Sequence, residues 1–110
     1  MTYQHKNAAE GRWLELTLTE QMANIGSEVF RALNWKEKGN DEYSKLAFER
    51  SLELLDLTID DPKNRHRLRE ITRTRESWVD YFFGKNDYHS TQSIWQNYFH
   101  SFNVAARLMT

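Results

Sequence analysis

Cysteine is absent from this 110-residue chain, which removes disulfides, thiolate catalysis and cysteine-ligated zinc together. A chain without cysteine is compatible with a reducing compartment. No apolar run approaches the roughly 18 residues that a membrane span needs. Residues Met1 to Asn7 also lack the apolar centre of a secretory leader, so a cytoplasmic setting is expected. Neither sign of charge dominates: 15 Lys and Arg stand against 16 Asp and Glu, for a formal net charge of -1. No global basic field therefore calls for nucleic acid. Internal repeats, low-complexity segments and Gly-rich phosphate loops are missing too. The histidines (His5, His66, His89, His100) do not cluster. No His-x-x-x-His or di-iron Glu-x-x-His occurs, and no Ser/His/Asp set presents itself. Neither a metal site, a cofactor nor a catalytic set is expected.

What the chain has in quantity is aromatic side chains, at 14%: six Phe, five Tyr and four Trp. Such residues supply much of the buried area in small cores and interfaces. The length suits one domain with a core of its own. A mean hydropathy of -0.83 then reflects charged helix surfaces, because the apolar residues are periodic rather than sparse. Residues 1–12 read as a loose polar tail before a single domain over 13–110. Trp13, Leu14 and Leu16 read as a short extended handle that docks on the core.

Four helices are predicted. Thr17-Leu-Thr-Glu20 fits a capping box and opens a stripe of Leu18, Met22, Ile25, Val29 and Leu33. Gly26 interrupts it, at a propensity cost of about 1 kcal/mol relative to Ala; close approach of another element explains keeping it. Lys36, Lys38 and Gly39 form its end. The second helix, from about Asp41 to Ile59 with Asn40 or Asp41 as cap, is apolar round more than half its girth. Such a helix is surrounded, or shares an interface. Asp60-Asp61-Pro62, with the only proline, marks a sharp boundary. A third helix from Pro62 to about Phe83 should fold back antiparallel and stop at Gly84. The last, with Ser90 or Thr91 as cap and Ser93 with Gln96 as a competing capping box, runs from about Thr91 to Leu108, with Ile94, Trp95, Tyr98, Phe99, Phe102, Ala105, Ala106 and Met109 on its apolar arc. The fold class is all-α, an antiparallel four-helix bundle with a loose N-terminal tail.

Candidate chemistry centres on Lys63 to Phe83. Arg65, Arg69 and Arg73 stack at i, i+4, i+8 on one face. Arg75 falls within the apolar face of Leu68, Ile71 and Phe82, where an unpaired guanidinium is costly. Helix two carries an acidic stripe of Glu42, Glu49, Glu53, Asp56 and Asp60. If the chain reverses near Asp61, Asp56 lies near Arg67, Glu53 near Arg69 and Glu70, and Glu49 near Arg73 and Arg75. The acid and base ridges then pair across the hairpin, with Glu49, Glu53 and Asp56 as structural ion-pair partners worth about 0.2–1 kcal/mol per exposed pair. Arg75 would bridge to Glu49 or another acid beside the core. The functional alternative makes Arg65, Arg69, Arg73 and Arg75 an anion or nucleic-acid-binding set. Asp80, Tyr81, Asp87, Tyr88 and His89 surround the loop between the third and fourth helices, as a pocket rim without recognisable chemistry.

Four runs form a familiar set: QMANIGSEVFRALNWKEKGN, AFERSLELLDLTIDDPKNR, LREITRTRESWVDYFF and STQSIWQNYFHSFNVAAR. Together they resemble a group of small all-helical prokaryotic proteins of unknown function, over about residues 20 to 107. The resemblance implies a helical bundle and no particular activity. More loosely, the chain resembles HEPN-type bundles, compact helical proteins associated with nucleotidyltransferases and toxin–antitoxin modules. Ribonuclease members of that group carry Arg, then His after four to six residues, on a late helix. Here His100 precedes Arg107, and Arg75 to His89 is too long a gap, so the resemblance does not extend to ribonuclease activity.

The leading expectation is a non-enzymatic interaction module that self-associates or docks on a protein partner. Its grounds are the apolar girth of helix two, the aromatic last helix and the lack of a catalytic set, with Trp35 and Tyr81 as outward-facing candidates. The alternative is an RNA- or nucleotide-binding bundle that uses the helix-three arginines.

Overall fold

The computed structural model describes residues 6–109, with side chains from residue 11 onward. Five helices follow in order: α1 (Lys6–Glu15), α2 (Leu18–Glu37), α3 (Asp41–Asp60), α4 (Leu68–Phe82) and α5 (Gln92–Leu108), with a 3-10 turn at Pro62–Arg67 before α4. Among the described residues there is no strand, and no helix is long and apolar enough to cross a membrane. The bundle is all-α, with its four long helices at the predicted places.

Helix ends follow the local chemistry. Thr17 and Glu20 form the reciprocal capping box at the head of α2, which satisfies two otherwise orphaned N–H groups. At its foot Gly39 adopts φ +80°. That lets Asn40 N–H donate to Trp35 O at 2.9 Å and Gly39 N–H donate to Lys36 O, the paired bonds of a Schellman ending. Asn40 caps α3 through the Tyr43 N–H, and Thr91 caps α5 through the Ile94 N–H. The alternative cap at Ser93 is not used.

The core is built around α2. Met22, Ile25, Val29, Ala32 and Leu33 are buried, against Phe48, Leu52 and Leu55 of α3 and Trp95 and Phe99 of α5. Helices α2 and α5 run antiparallel and very close, with Phe99 packed directly over Gly26. Helix α4 joins through side chains rather than close backbone. Trp78, fully buried, lies 5.3 Å from Trp95 and 5.7 Å from Phe48, and Phe48 stacks on Phe82 at 4.3 Å. Aromatic pairs at these separations contribute about 0.5–1.5 kcal/mol each beyond their burial.

Three expectations are corrected. First, the chain from Lys6 to Glu15 is helical, so Trp13 and Leu14 belong to a helix and not to an extended handle; residues 1–5 of the expected tail lie outside the described residues. Trp13 docks as foreseen, buried, with its indole N–H on Thr58 Oγ1 at 2.9 Å. Second, Pro62–Arg67 is a 3-10 turn and not the first turn and a half of α4. Its cause is a buried polar knot. Gln21 Nε2 donates to Trp13 O and to Asp61 Oδ2. Asn64 Nδ2 donates to Gln21 Oε1 and to Thr58 O. Asp61 in turn accepts from the Lys63 backbone N–H and ammonium. Asn64 is drawn into the interior, and the tighter i→i+3 spacing is what lets it reach. Third, the reversal between α3 and α4 is centred within Pro62–Arg67 rather than at Asp61. Ser51 therefore meets Trp78, and Asp56 meets Arg75. The apolar arc of α5 is also narrower than predicted, since Ile94 and Met109 are exposed.

Candidate functional site

The shifted reversal decides what becomes of the charged ridges. Arg75 Nε donates to Asp56 Oδ1 at 2.7 Å, and both side chains are about one-third exposed. The guanidinium on the apolar face of α4 is thus paired, by Asp56 rather than Glu49. Arg67 was expected opposite Asp56; instead, at the end of the 3-10 turn, it holds Glu70 in the first turn of α4, through Nε at 3.0 Å and Nη2 at 2.8 Å. Glu49 and Glu53 make no ion pair among the described residues, and burial pushes the Glu53 carboxyl above its usual value. Of the three expected structural acids, Asp56 alone makes an ion pair among the described residues.

Arg65, Arg69 and Arg73 are consequently left without an ion-paired carboxylate among the described residues. All three are exposed, and none makes an ion pair or hydrogen bond with a described residue. Together with Leu68, Thr72 and Glu76 they line one shallow groove along the outer side of the 3-10 turn and α4. Glu76 shares the groove and bridges to none of them. Like charges at i, i+4 repel by about 0.2–0.5 kcal/mol a pair, a cost that a bound anion relieves. The α-helical part of the ladder, Arg69 to Arg73, spans about 6 Å at 1.5 Å per residue, and Arg65 extends it on the 3-10 turn.

Glu70, the acid placed to neutralise Arg73 one turn away, is engaged elsewhere. Its Oε1 accepts from Arg67 and its Oε2 accepts from the Tyr98 hydroxyl at 3.0 Å. Thr74 Oγ1 donates to Glu70 O at 2.8 Å and lies 3.2 Å from the Tyr98 oxygen. Burial and the Glu70 carboxylate push the Tyr98 hydroxyl up to about 12, against hydrogen bonding with Thr74, so this phenol stays a neutral donor.

On the other side of Arg73 the surface falls into a cleft of about 380 Å³ between α4 and α5. Trp95 and Tyr98 form its aromatic wall, with Ile94, Tyr88 and Arg73 at its edges. The loop after α4 places Tyr88. Asp80 receives the Asp87 N–H on Oδ1 and the Tyr88 N–H on Oδ2, and Asn86, at φ 57°, clasps both backbone groups of Ser90. The rim foreseen around this loop is thus realised through Tyr88, while Asp80 shapes the loop from behind. Tyr81 turns inward against Trp78 and Trp95. Trp35 pairs with Tyr43 at 5.0 Å and is only half-exposed.

Sequence reasoning missed Gln21, Asn64 and Trp95 as polar actors. Gln21 carried a faint signal, since it sits one position before the buried stripe of α2. Among the described residues no three His, Asp or Glu side chains gather as metal ligands. The chain matches no protein-family model, no curated protein and no solved structure.

Proposed function

We propose that this chain is a non-enzymatic interaction module that docks through the arginine ridge of α4 on a polyanionic partner, with single-stranded nucleic acid as the class that fits. One observation carries the reading: Arg65, Arg69 and Arg73 share one groove in which the single acid, Glu76, bridges to none of them, while Glu70 and Asp56 are engaged elsewhere. The net charge of -1 does not argue against it. At physiological salt a charge is felt over about 8 Å, so a strand on the ridge responds to the local cluster. The grounds for self-association are weaker in the folded chain. The apolar girth of α3 is largely spent on α1, α2 and α4, with Ala47, Phe48, Leu52, Leu55 and Leu57 all buried. Kinship with HEPN-type bundles belongs to the same proposal, at the level of architecture alone, as does a cytoplasmic setting.

The test is fluorescence anisotropy with a labelled 12-nucleotide strand, DNA and RNA in parallel, titrated at several salt concentrations. Three phosphate contacts predict a log–log salt slope of about -2 for a single strand. Arg69→Ala should reduce that slope by about 0.7, and Arg69→Glu should abolish binding. Light scattering on the same samples reads the mass. A stable dimer with no affinity for any strand, or an Arg69→Glu variant that binds as wild type, ends this reading.

A further inference from the structure

The wall of the cleft beside the ridge includes an indole whose buried N–H has no partner among the described residues. Three indoles are buried in this protein, and two are satisfied: Trp13 on Thr58 Oγ1 and Trp78 on Ser51 Oγ, each at 2.9 Å. The third, Trp95, is only 4% exposed and its Nε1 has no partner. Trp95 is also the residue that walls the cleft. An unmet buried N–H is unfavourable; Nε1 itself is closed off from solvent, so Trp95 marks an unrelieved spot in the cleft wall and not a contact open to a ligand. Ser77 also lines the cleft, and its hydroxyl makes no bond to any described residue.

Resting on the ridge reading above, we infer that the cleft seats one base of the strand whose backbone lies on the arginines. Arg73 joins the two features, because it belongs both to the groove of the ridge and to the lining of the cleft. A phosphate on Arg73 places its neighbouring base at the opening. The cleft has what a nucleobase asks for: flat aromatic faces at Tyr88 and Tyr98 for stacking, and the Ser77 hydroxyl for a donor or an acceptor on the base edge. Its volume lies at the small end of the range for ligand sites, enough for one base and too little for a helix of a partner protein. Stacking is tolerant of base identity, so little sequence preference is expected.

Three probes separate the base from the backbone: a 12-nucleotide oligomer, an abasic oligomer of equal length, and inorganic polyphosphate. Tyr88 and Ile94 are 60% and 53% exposed, so Tyr88→Ala and Ile94→Ala keep the fold, and circular dichroism checks this. The oligomer should bind more tightly than either base-free probe and quench tryptophan fluorescence. Tyr88→Ala should weaken the oligomer by roughly 5- to 150-fold and leave polyphosphate unchanged. Equal affinity for oligomer and polyphosphate, or indifference of the oligomer to both variants, overturns the base site while leaving the ridge intact. Loss of all binding by every probe overturns both readings. A mononucleotide that binds as tightly as the strand would make the ligand a free nucleotide and overturn the strand.

Discussion

Substituting Gly26 by alanine tests the closest helix contact in the protein. In isolation the change favours the helix by about 1 kcal/mol. In the fold, the new methyl would stand 2.8 Å from Phe99 Cβ and 3.2 Å from its Cγ and Cδ1. The nearest atom is a Cβ, which cannot turn aside, so α5 itself must move. Overpacking of this kind costs about 1–3 kcal/mol, and a rigid neighbour places it in the upper part of that range. The net loss is about 1–2 kcal/mol, or a fall in Tm of roughly 4–8 °C for a domain of this size. Shortening Phe99 to alanine leaves the Cβ contact in place, so Gly26→Ala should still be unfavourable in that background. Two further glycines calibrate the result. Gly11, helical and with nothing within 4 Å of a new methyl, should gain about 0.4–1 kcal/mol as alanine. Gly39, at φ +80°, should lose about 1 kcal/mol. Urea denaturation with a shared m-value reads all three. If Gly26→Ala unfolds at or above the wild-type midpoint while the other two behave as stated, the close packing of α2 on α5 is not what requires glycine there.

The register of α4 is tested by a double-mutant cycle: Asp56→Ala and Arg75→Ala should couple by about 0.5–1 kcal/mol, whereas Glu49→Ala and Arg75→Ala should show no coupling. Burial raises the Asp61 carboxyl, but hydrogen bonds from Lys63 and Gln21 outweigh it and hold the group below its ordinary value. A lowered folded-state value contributes stability that is complete above the ordinary carboxylate range and lost as pH falls through the lowered one. Asp61→Asn should therefore be less stable than wild type at pH 7 and lose less on acidification, followed by circular dichroism from pH 7 to pH 2. The Tyr98 hydroxyl is raised to about 12, so its contribution is complete below about pH 10, the ordinary tyrosine value, and disappears as pH climbs to 12. Tyr98→Phe should cost about 1 kcal/mol at neutral pH, and the gap to wild type should narrow in alkali; a gap that widens instead would mean the phenol is not held as a neutral donor to Glu70.

The parts of this fold legible in the sequence are those where neighbours in the chain decide the outcome. The Thr17–Glu20 box, the Gly39 ending, the Asn40 and Thr91 caps and the stripe from Met22 to Leu33 each need only a few consecutive turns to interpret. Gly26 was legible as a close contact but not as a contact with Phe99. What could not be read depends on residues far apart. Asn64 is polar and follows a proline, so nothing local says that it will be buried; Gln21, on another helix, decides that. The same knot sets the 3-10 turn, which moves Asp56 onto Arg75 and leaves Arg65, Arg69 and Arg73 free. The ridge was legible as a pattern, and its lack of acidic partners was not. The Trp95 N–H was invisible for a related reason, since an indole on an apolar arc gives no hint of whether an acceptor will meet it.

The knot at Pro62–Arg67 also makes the length of this short segment a determinant of surface chemistry. Residues of a 3-10 turn succeed one another by about 120°, at three per turn. Removing one residue between Asn64 and Leu68, with Asn64 still anchored, would turn α4 by that angle and carry the arginines toward the interior while Trp78 swung outward. Natural variation in length should therefore be tolerated in the 84–91 loop and refused in the turn. Six residues, of which Arg65 alone reaches the ridge groove, act as the key that sets which side of α4 the solvent sees.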